Sequence, residues 1–165
     1  MSPLFFIAVA LLLLLAAVNT NAENEPLMWQ LLFAFSGLTA GLREELFYRG
    51  LVQQQLQQSY GDRVALPVAS VFFTLSHVQY MYYGQWHGLL LIAVAGIIFG
   101  SIFIYSRSIV VTSCVHGLYD ALLSFKISTF KIDYNTALCA LSVILLLLLL
   151  LIRPQLSKLK PDCKR

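Results

Sequence analysis

Six runs of apolar residues, separated by short polar segments, make up most of this chain. They cover residues 3–18, 27–58, 63–83, 87–106, 108–126 and 134–152. A helix needs about 17 to 25 residues to cross a bilayer. Only 12% of the residues are charged, against about 25% in soluble domains. The pattern predicts an all-α integral membrane protein, a bundle of about six transmembrane helices in a single domain over residues 1–165.

The first and last apolar runs differ in how clearly they predict a membrane span. Leu4–Val18 has the length of a signal-peptide apolar region, and Thr20-Asn21-Ala22 is a passable cleavage site. No basic residue precedes that run, which favours a retained first span within residues 1–26. The last run, 134–152, ends at Arg153-Pro154, where a charge and a helix breaker coincide. Residues 27–126 between them form the predicted core helices, in which the polar residues described below lie.

Basic residues mark one face of the membrane. Arg63, Arg107 and the tail 153–165 fall on one side, and the acidic segment before the second run falls on the other. Lys126 and Lys131 weaken this bias without reversing it. Because basic loops stay inside, we expect a multi-pass membrane protein with a cytoplasmic C-terminus. The net charge of +3 sits mainly in this tail, so the lipid bilayer is the expected partner, with no nucleic acid.

Charged residues inside the second run need an explanation. A charge at the bilayer centre costs about 2.5 to 3.5 kcal/mol, so such groups gather around water or one another. Glu45 and Arg49 are four residues apart and share a helical face, on which they would pair. Glu44 points about 100° away. A purely structural ion-pair cluster would account for the pair and would leave Glu44 unexplained.

Histidines in later runs are predicted to reach the depth of this cluster. The turn 59–63 closes a helical hairpin, and Glu44 and His77 are equally distant from its centre. They therefore share one level if both helices run unbroken. His116 and Asp120 are four apart on one face at a similar depth. We expect these groups to meet in one partly hydrated cavity.

A hydrolytic chemistry follows from these residue types. With Arg49 holding Glu45 ionised, Glu44 is free to act as a general base that takes a proton from water, and His77 orients that water. The attack would fall on a peptide carbonyl.

The second histidine would serve the developing oxyanion. His116 donates to it in the correct tautomer; Asp120 donates when protonated, and when ionised it orients His116. Glu44, His77 and His116 would also make a catalytic zinc set, although their spacing differs from the His-Glu-x-x-His helix. Chemistry alone does not decide between metal-free and zinc-dependent hydrolysis. We expect hydrolysis without a cofactor, with zinc as the alternative.

Three ordered segments resemble the motifs of a known family: Glu44–Arg49, Phe73–His77 and His116–Asp120. They are similar to those of the type II CAAX prenyl endopeptidase and bacteriocin-processing (CPBP, Abi-type) intramembrane proteases, which include the eukaryotic prenyl-protein endopeptidase Rce. The resemblance covers about residues 36 to 125. It implies an intramembrane glutamate-type endopeptidase, although early descriptions of the family were as metalloproteases.

The resemblance also implies roles. Glu44 and His77 would activate water, and His116 with residue 120 would support the oxyanion. Position 120 is often Asn in the family and is Asp here. The implied substrate is a membrane-anchored or lipidated protein tail, because short bacterial members look like processing enzymes of protein-sorting systems. The sequence does not define the oligomeric state.

Other interpretations remain. Acids and histidines in spans also build proton-coupled carriers, but no inverted repeat is evident. A catalytically silent membrane chaperone or immunity protein would keep the same fold. Phe73 and His87 are expected to pack. The three cysteines, which have no CxxC spacing, are expected to be structural or incidental.

Overall fold

The computed structural model describes residues 2–18, 25–125 and 133–157, with side chains up to Arg153 in the last segment. Helices make up 89% of these residues and none of them lies in a strand, which confirms the all-α class. The elements are α1 (Pro3–Val18), α2 (Leu27–Glu45), a π-helical segment (Leu46–Gln53), α3 (Gln54–Tyr60), α4 (Asp62–Leu75), α5 (Gln79–Tyr82), α6 (Trp86–Ser106), α7 (Ile109–Leu123) and α8 (Tyr134–Ser157).

Two helices within the described ranges are long and apolar enough to cross a membrane, Trp86–Ser106 and Tyr134–Arg153. The helices α1 and α7 are apolar but have 16 and 15 residues, and α2 carries the charged cluster. The other four predicted spans therefore stay predictions. The cleavage site 20–22, Lys126, Lys131 and the tail beyond residue 157 lie outside the described residues.

One apolar core holds the bundle together. It is formed by α1, α6, α7 and α8, with Leu12, Ile102 and Leu148 fully buried. Many large apolar side chains point outward instead, among them Phe35 and Leu146. A helix that is apolar on its outer face as well as in the core is typical of a membrane protein.

The predicted hairpin is present, with a change inside its first arm. Helical structure continues from α2 to Tyr60, Gly61 takes φ +76°, and α4 begins at Asp62. The assumption of an unbroken α-helix is wrong, because residues 46–53 are π-helical. Such segments are rare and frequently occur at functional sites.

The second arm is also shorter than predicted. A single helix over 63–83 is wrong, because α4 ends at Leu75 and a turn over residues 76–78 precedes α5. The Oγ atom of Ser76 donates to the carbonyl oxygen of Phe73 at 2.7 Å. The imidazole of His77 bonds the same carbonyl. Side chains that satisfy a backbone carbonyl compete with the helical hydrogen bond, so Ser76 and His77 end the helix at Leu75.

Candidate active site

Glycines let α2 and α7 approach each other closely. A Cβ atom added to Gly41 would lie 2.6 Å from the backbone nitrogen of Gly117, and one added to Gly37 would lie 2.8 Å from the Cβ of Asp120. Small residues four apart allow such contact between membrane helices. The packing brings the end of α2 against the centre of α7. The spacing Gly37-x-x-x-Gly41 is the sequence signal for this contact.

This contact joins Glu45 to His116. The Nδ1 atom of His116 lies 2.8 Å from Oε1 of Glu45, and Nε of Arg49 lies 3.2 Å from the other carboxylate oxygen. The second contact is an ion pair without hydrogen-bond geometry. The side chains of Glu45 and Arg49 are 0% and 1% exposed. The predicted pair is therefore present, and it has a third member that spacing within one helix did not reveal.

The buried polar row continues along α6. Nη2 of Arg49 donates to the carbonyl of Gly96 at 2.8 Å, and Nε2 of Gln53 donates to the carbonyl of Gly100 at 3.1 Å. Both glycines lack the side chain that would cover their carbonyls, and a Cβ on Gly100 would lie 3.0 Å from the Gln53 amide oxygen. Glycine on α6 thus lets two polar side chains bond its backbone within the bundle.

Two phenylalanines enclose these groups. The guanidinium carbon of Arg49 lies 4.6 Å from the ring centroid of Phe73 and 6.0 Å from that of Phe99. Phe99 stacks on His116 at 4.1 Å, and Phe73 lies 4.9 Å from the ring of His77. Phe73 packs as expected. Phe99 was missed, because one phenylalanine among many apolar residues of α6 carries no signal in the sequence.

Glu44 and His77 do meet. The distance between Nε2 of His77 and Oε2 of Glu44 is 3.9 Å, and the side chains are 20% and 17% exposed. Nδ1 of His77 lies 2.9 Å from the carbonyl oxygen of Phe73. Because a carbonyl oxygen only accepts, Nδ1 carries the proton. In neutral His77, Nε2 is therefore an acceptor that faces the Glu44 carboxylate across a gap too long for a direct hydrogen bond.

A cavity of about 480 Å³ opens beside these residues. Glu44, His77, His116 and Asp120 all line it, with apolar side chains such as Phe33, Leu91, Ile92 and Phe99. Asp120 is 30% exposed, and its Oδ2 lies 3.5 Å from Nε2 of His116. A second cavity of about 430 Å³ lies on the other side of Glu44 and His77 and has more polar walls, including Arg43, Ser76 and Gln79. The six predicted site residues thus occupy one contiguous region.

The alternative zinc ligands are Glu44, His77 and His116. Among the residues that the structure describes, no three His, Cys, Asp or Glu side chains are gathered as ligands. Nδ1 of His116 faces Glu45, and Nδ1 of His77 faces a backbone carbonyl. Zinc-binding histidines have the same second contact and coordinate through the other ring nitrogen, so the zinc alternative stays a prediction.

His87 lies apart from the site. Its ring lies 3.5 Å from that of Trp86 and 4.7 Å from that of Tyr134, which is the packing role expected for it. Cys114 and Cys139 are free and exposed. Cys163 lies outside the described residues.

The fold and this site define a helical protein with acid and imidazole groups inside its bundle. A family model, type II CAAX prenyl endopeptidase Rce1-like, matches residues 26–122, which is more than half of the chain, so the chain belongs to this family. The members of this family are membrane proteins, and the family implies a protease. Comparison with curated proteins and with solved structures gives no match.

Proposed function

We propose that this protein is an intramembrane endopeptidase in which Glu44 activates water for attack on a peptide bond. The observation that carries the proposal is the orientation of His77. Its protonated Nδ1 is tied to the Phe73 carbonyl, and its Nε2 faces Glu44 at 3.9 Å. Two acceptors at this separation suit one water molecule between them.

That water would be oriented for attack. It donates one hydrogen to the Glu44 carboxylate and the other to Nε2 of His77, which leaves an oxygen lone pair directed at the substrate. As the oxygen bonds to the peptide carbonyl carbon, its proton passes to Glu44. Glu44 then returns the proton to the leaving amine as the carbon–nitrogen bond breaks.

The oxyanion would be stabilised from α7. The Nε2 side of His116 borders the cavity, beside Asp120. Protonated at both nitrogens, His116 pairs with Glu45 through Nδ1 and offers Nε2–H to the developing charge. Protonated Asp120 would be a second donor. A fixed donor in a site screened from water contributes more than the same donor in solvent.

The proposed substrate is a membrane-anchored or lipidated protein tail. Three features support it: the family match, the mostly apolar side chains along the larger cavity, and the placement of the site within the bundle. No cofactor is part of this proposal. The proposed location is the bacterial inner membrane.

The test is cleavage of a membrane-anchored peptide by purified protein, with the product identified by mass. Wild type should cut one bond and yield two fragments, and Glu44→Gln and His77→Ala should yield none. Glu25→Gln, an exposed glutamate outside both cavities, is the matched control and should cleave normally. Full activity in Glu44→Gln would refute the proposal.

Three further readouts separate the alternatives. A strong chelator should leave the rate unchanged; loss of activity would point to a metal mechanism. A pH-gradient-dependent flux in liposomes without peptide product would identify a carrier. Biological activity that survives both substitutions would identify a chaperone or immunity protein.

A further inference from the structure

The polar site residues that border the larger cavity are partly exposed, apart from His116, which is buried with Glu45 at the same level. Glu44, His77 and Asp120 are 17 to 30% exposed. One to two turns beyond Glu44, in the π-helical segment that follows α2, Arg49 and Gln53 are 1% and 0% exposed. Their side chains bond to α6 backbone carbonyls. This buried row closes the site on the side towards Tyr60, so access is from the opposite end.

Two of the cavities follow the same division, while the cavity of about 430 Å³ is lined by residues within about one turn of Glu44 and His77 and lies at the level of the site itself. The larger one extends from Glu44 and His116 to Gly88, near the start of α6, and to Ser124, just after α7. A separate cavity of about 270 Å³ at the other end is lined by glutamines of α3, Asp62 and Arg107, and by none of the six site residues. The site therefore opens to the end where α2 and α6 begin.

The closed end carries more of the basic residues, although Lys126 and Lys131 follow the open end in the sequence. Arg107 pairs with Asp62 at 3.1 Å, which joins the end of α6 to the start of α4. Ile152 packs on Leu66 and Ile104, so the neighbouring Arg153 belongs to this end too. Basic residues at helix ends are retained on the cytoplasmic side. The open end, with Glu25 before α2, then faces outward.

We propose that the active-site cavity is entered from the extracytoplasmic side, so that the substrate is an anchored polypeptide cut within the outer half of the membrane. His116 is eight residues below Ser124 along α7, which places the reacting carbonyl about 12 Å from the cavity mouth. That the substrate is a peptide rests on the proposed function. The side of the membrane from which the cavity is entered does not depend on that function.

The entrance is tested by thiol labelling, which needs no catalysis. In full-length protein with the three native cysteines replaced by Ser, Ser124→Cys is placed at the mouth and Ser59→Cys at the closed end, where Ser59 is exposed. A membrane-impermeant maleimide added to intact spheroplasts should label Ser124→Cys to completion. It should label Ser59→Cys only after permeabilisation.

Three labelling results would overturn the proposal: the reverse pattern, labelling of both variants from outside, or no labelling of Ser124→Cys even after permeabilisation. A second experiment uses proteoliposomes of determined enzyme orientation. The same peptide is attached to either end of its membrane anchor, so that it meets one face or the other. Cleavage should occur only on the Ser124 side.

The two proposals fail in different ways. Cleavage only on the Ser59 side refutes the proposed extracytoplasmic entrance and leaves the protease assignment intact. No cleavage on either side, with Ser124→Cys labelled from outside, refutes the protease assignment and leaves the entrance assigned.

Discussion

The Nδ1 atom of His116 lies 2.8 Å from the carboxylate of Glu45, a residue 71 positions earlier in the chain. The preceding residue, Glu44, faces His77 instead. Two adjacent glutamates therefore have different environments. One is buried between an arginine and a histidine and shapes the bundle. The other borders a cavity and is available for chemistry.

The two glutamates should separate activity from stability. Glu44→Gln should lower the cleavage rate by about 10²- to 10⁴-fold, the usual contribution of a general base, and leave the Tm in detergent unchanged. Glu45→Gln should also lower the Tm, because it leaves Arg49 charged and buried without its partner, which costs about 3 to 5 kcal/mol. Thermal unfolding with a cleavage assay measures both. Equal Tm values for the two variants would contradict this assignment.

Close packing of α2 on α7 should depend on Gly41. A Cβ there would lie 2.6 Å from backbone, so Gly41→Ala should push the helices apart, destabilise the fold by about 1 to 3 kcal/mol and lower activity. Gly50→Ala is the matched control, because its Cβ would meet nothing closer than 3.7 Å. Chemical unfolding of both variants measures the difference. The packing argument fails if the two substitutions cost the same.

Arg107 sits in a left-handed backbone conformation, with φ 53°. Substitution by Gly or Ala removes the contact with Asp62 in both cases, and only Gly relieves the backbone strain of about 1 to 2 kcal/mol. Arg107→Gly should therefore unfold at a higher temperature than Arg107→Ala. A lower Tm for the Gly variant would show that this residue is not strained.

Asp133 should make the start of α8 sensitive to acid. Its carboxylate accepts hydrogen bonds from the Thr136 hydroxyl at 2.6 Å and from the backbone nitrogens of Thr136 and Asn135. These bonds, chiefly that from the hydroxyl, lower the pKa of Asp133. A lowered pKa adds stability above the ordinary value, near 4, and that stability is lost as the pH falls through the lowered value.

The Tm difference between wild type and Asp133→Ala should accordingly be largest at neutral pH and should shrink below about pH 4. Asp133→Asn, which keeps an accepting oxygen at the helix start, is the control and should lie closer to wild type at neutral pH. A difference that does not change with pH would show that the charge of Asp133 is irrelevant.

Much of the site could be anticipated from spacing. The hairpin about Gly61 brings Glu44 and His77 to one level, as counting from the turn predicts. The Glu45–Arg49 pair follows from the four-residue period. The depth relationship holds despite the π-helical segment and the early end of α4, since the Glu44 and His77 side chains still come within 3.9 Å of each other.

The contacts between residues on different helices could not be derived from spacing along the chain. Periodicity gives the face of a helix that a residue occupies, but the rotation of that helix about its axis is set by what packs against it. The Glu45–His116 bond depends on the close approach at Gly41 and Gly117. The turn at His77 depends on side chains that compete for one carbonyl.

By itself, then, the sequence determined the helical class, the approximate depth of each polar group and the motifs that carry the family resemblance, since all three follow from local order along the chain. Only the tertiary structure decided which glutamate borders the cavity, which one holds His116, and towards which end the site opens. These depend on contacts between helices, such as that of Gly41 with Gly117. The spacing of residues along one helix does not say which other helix packs against it.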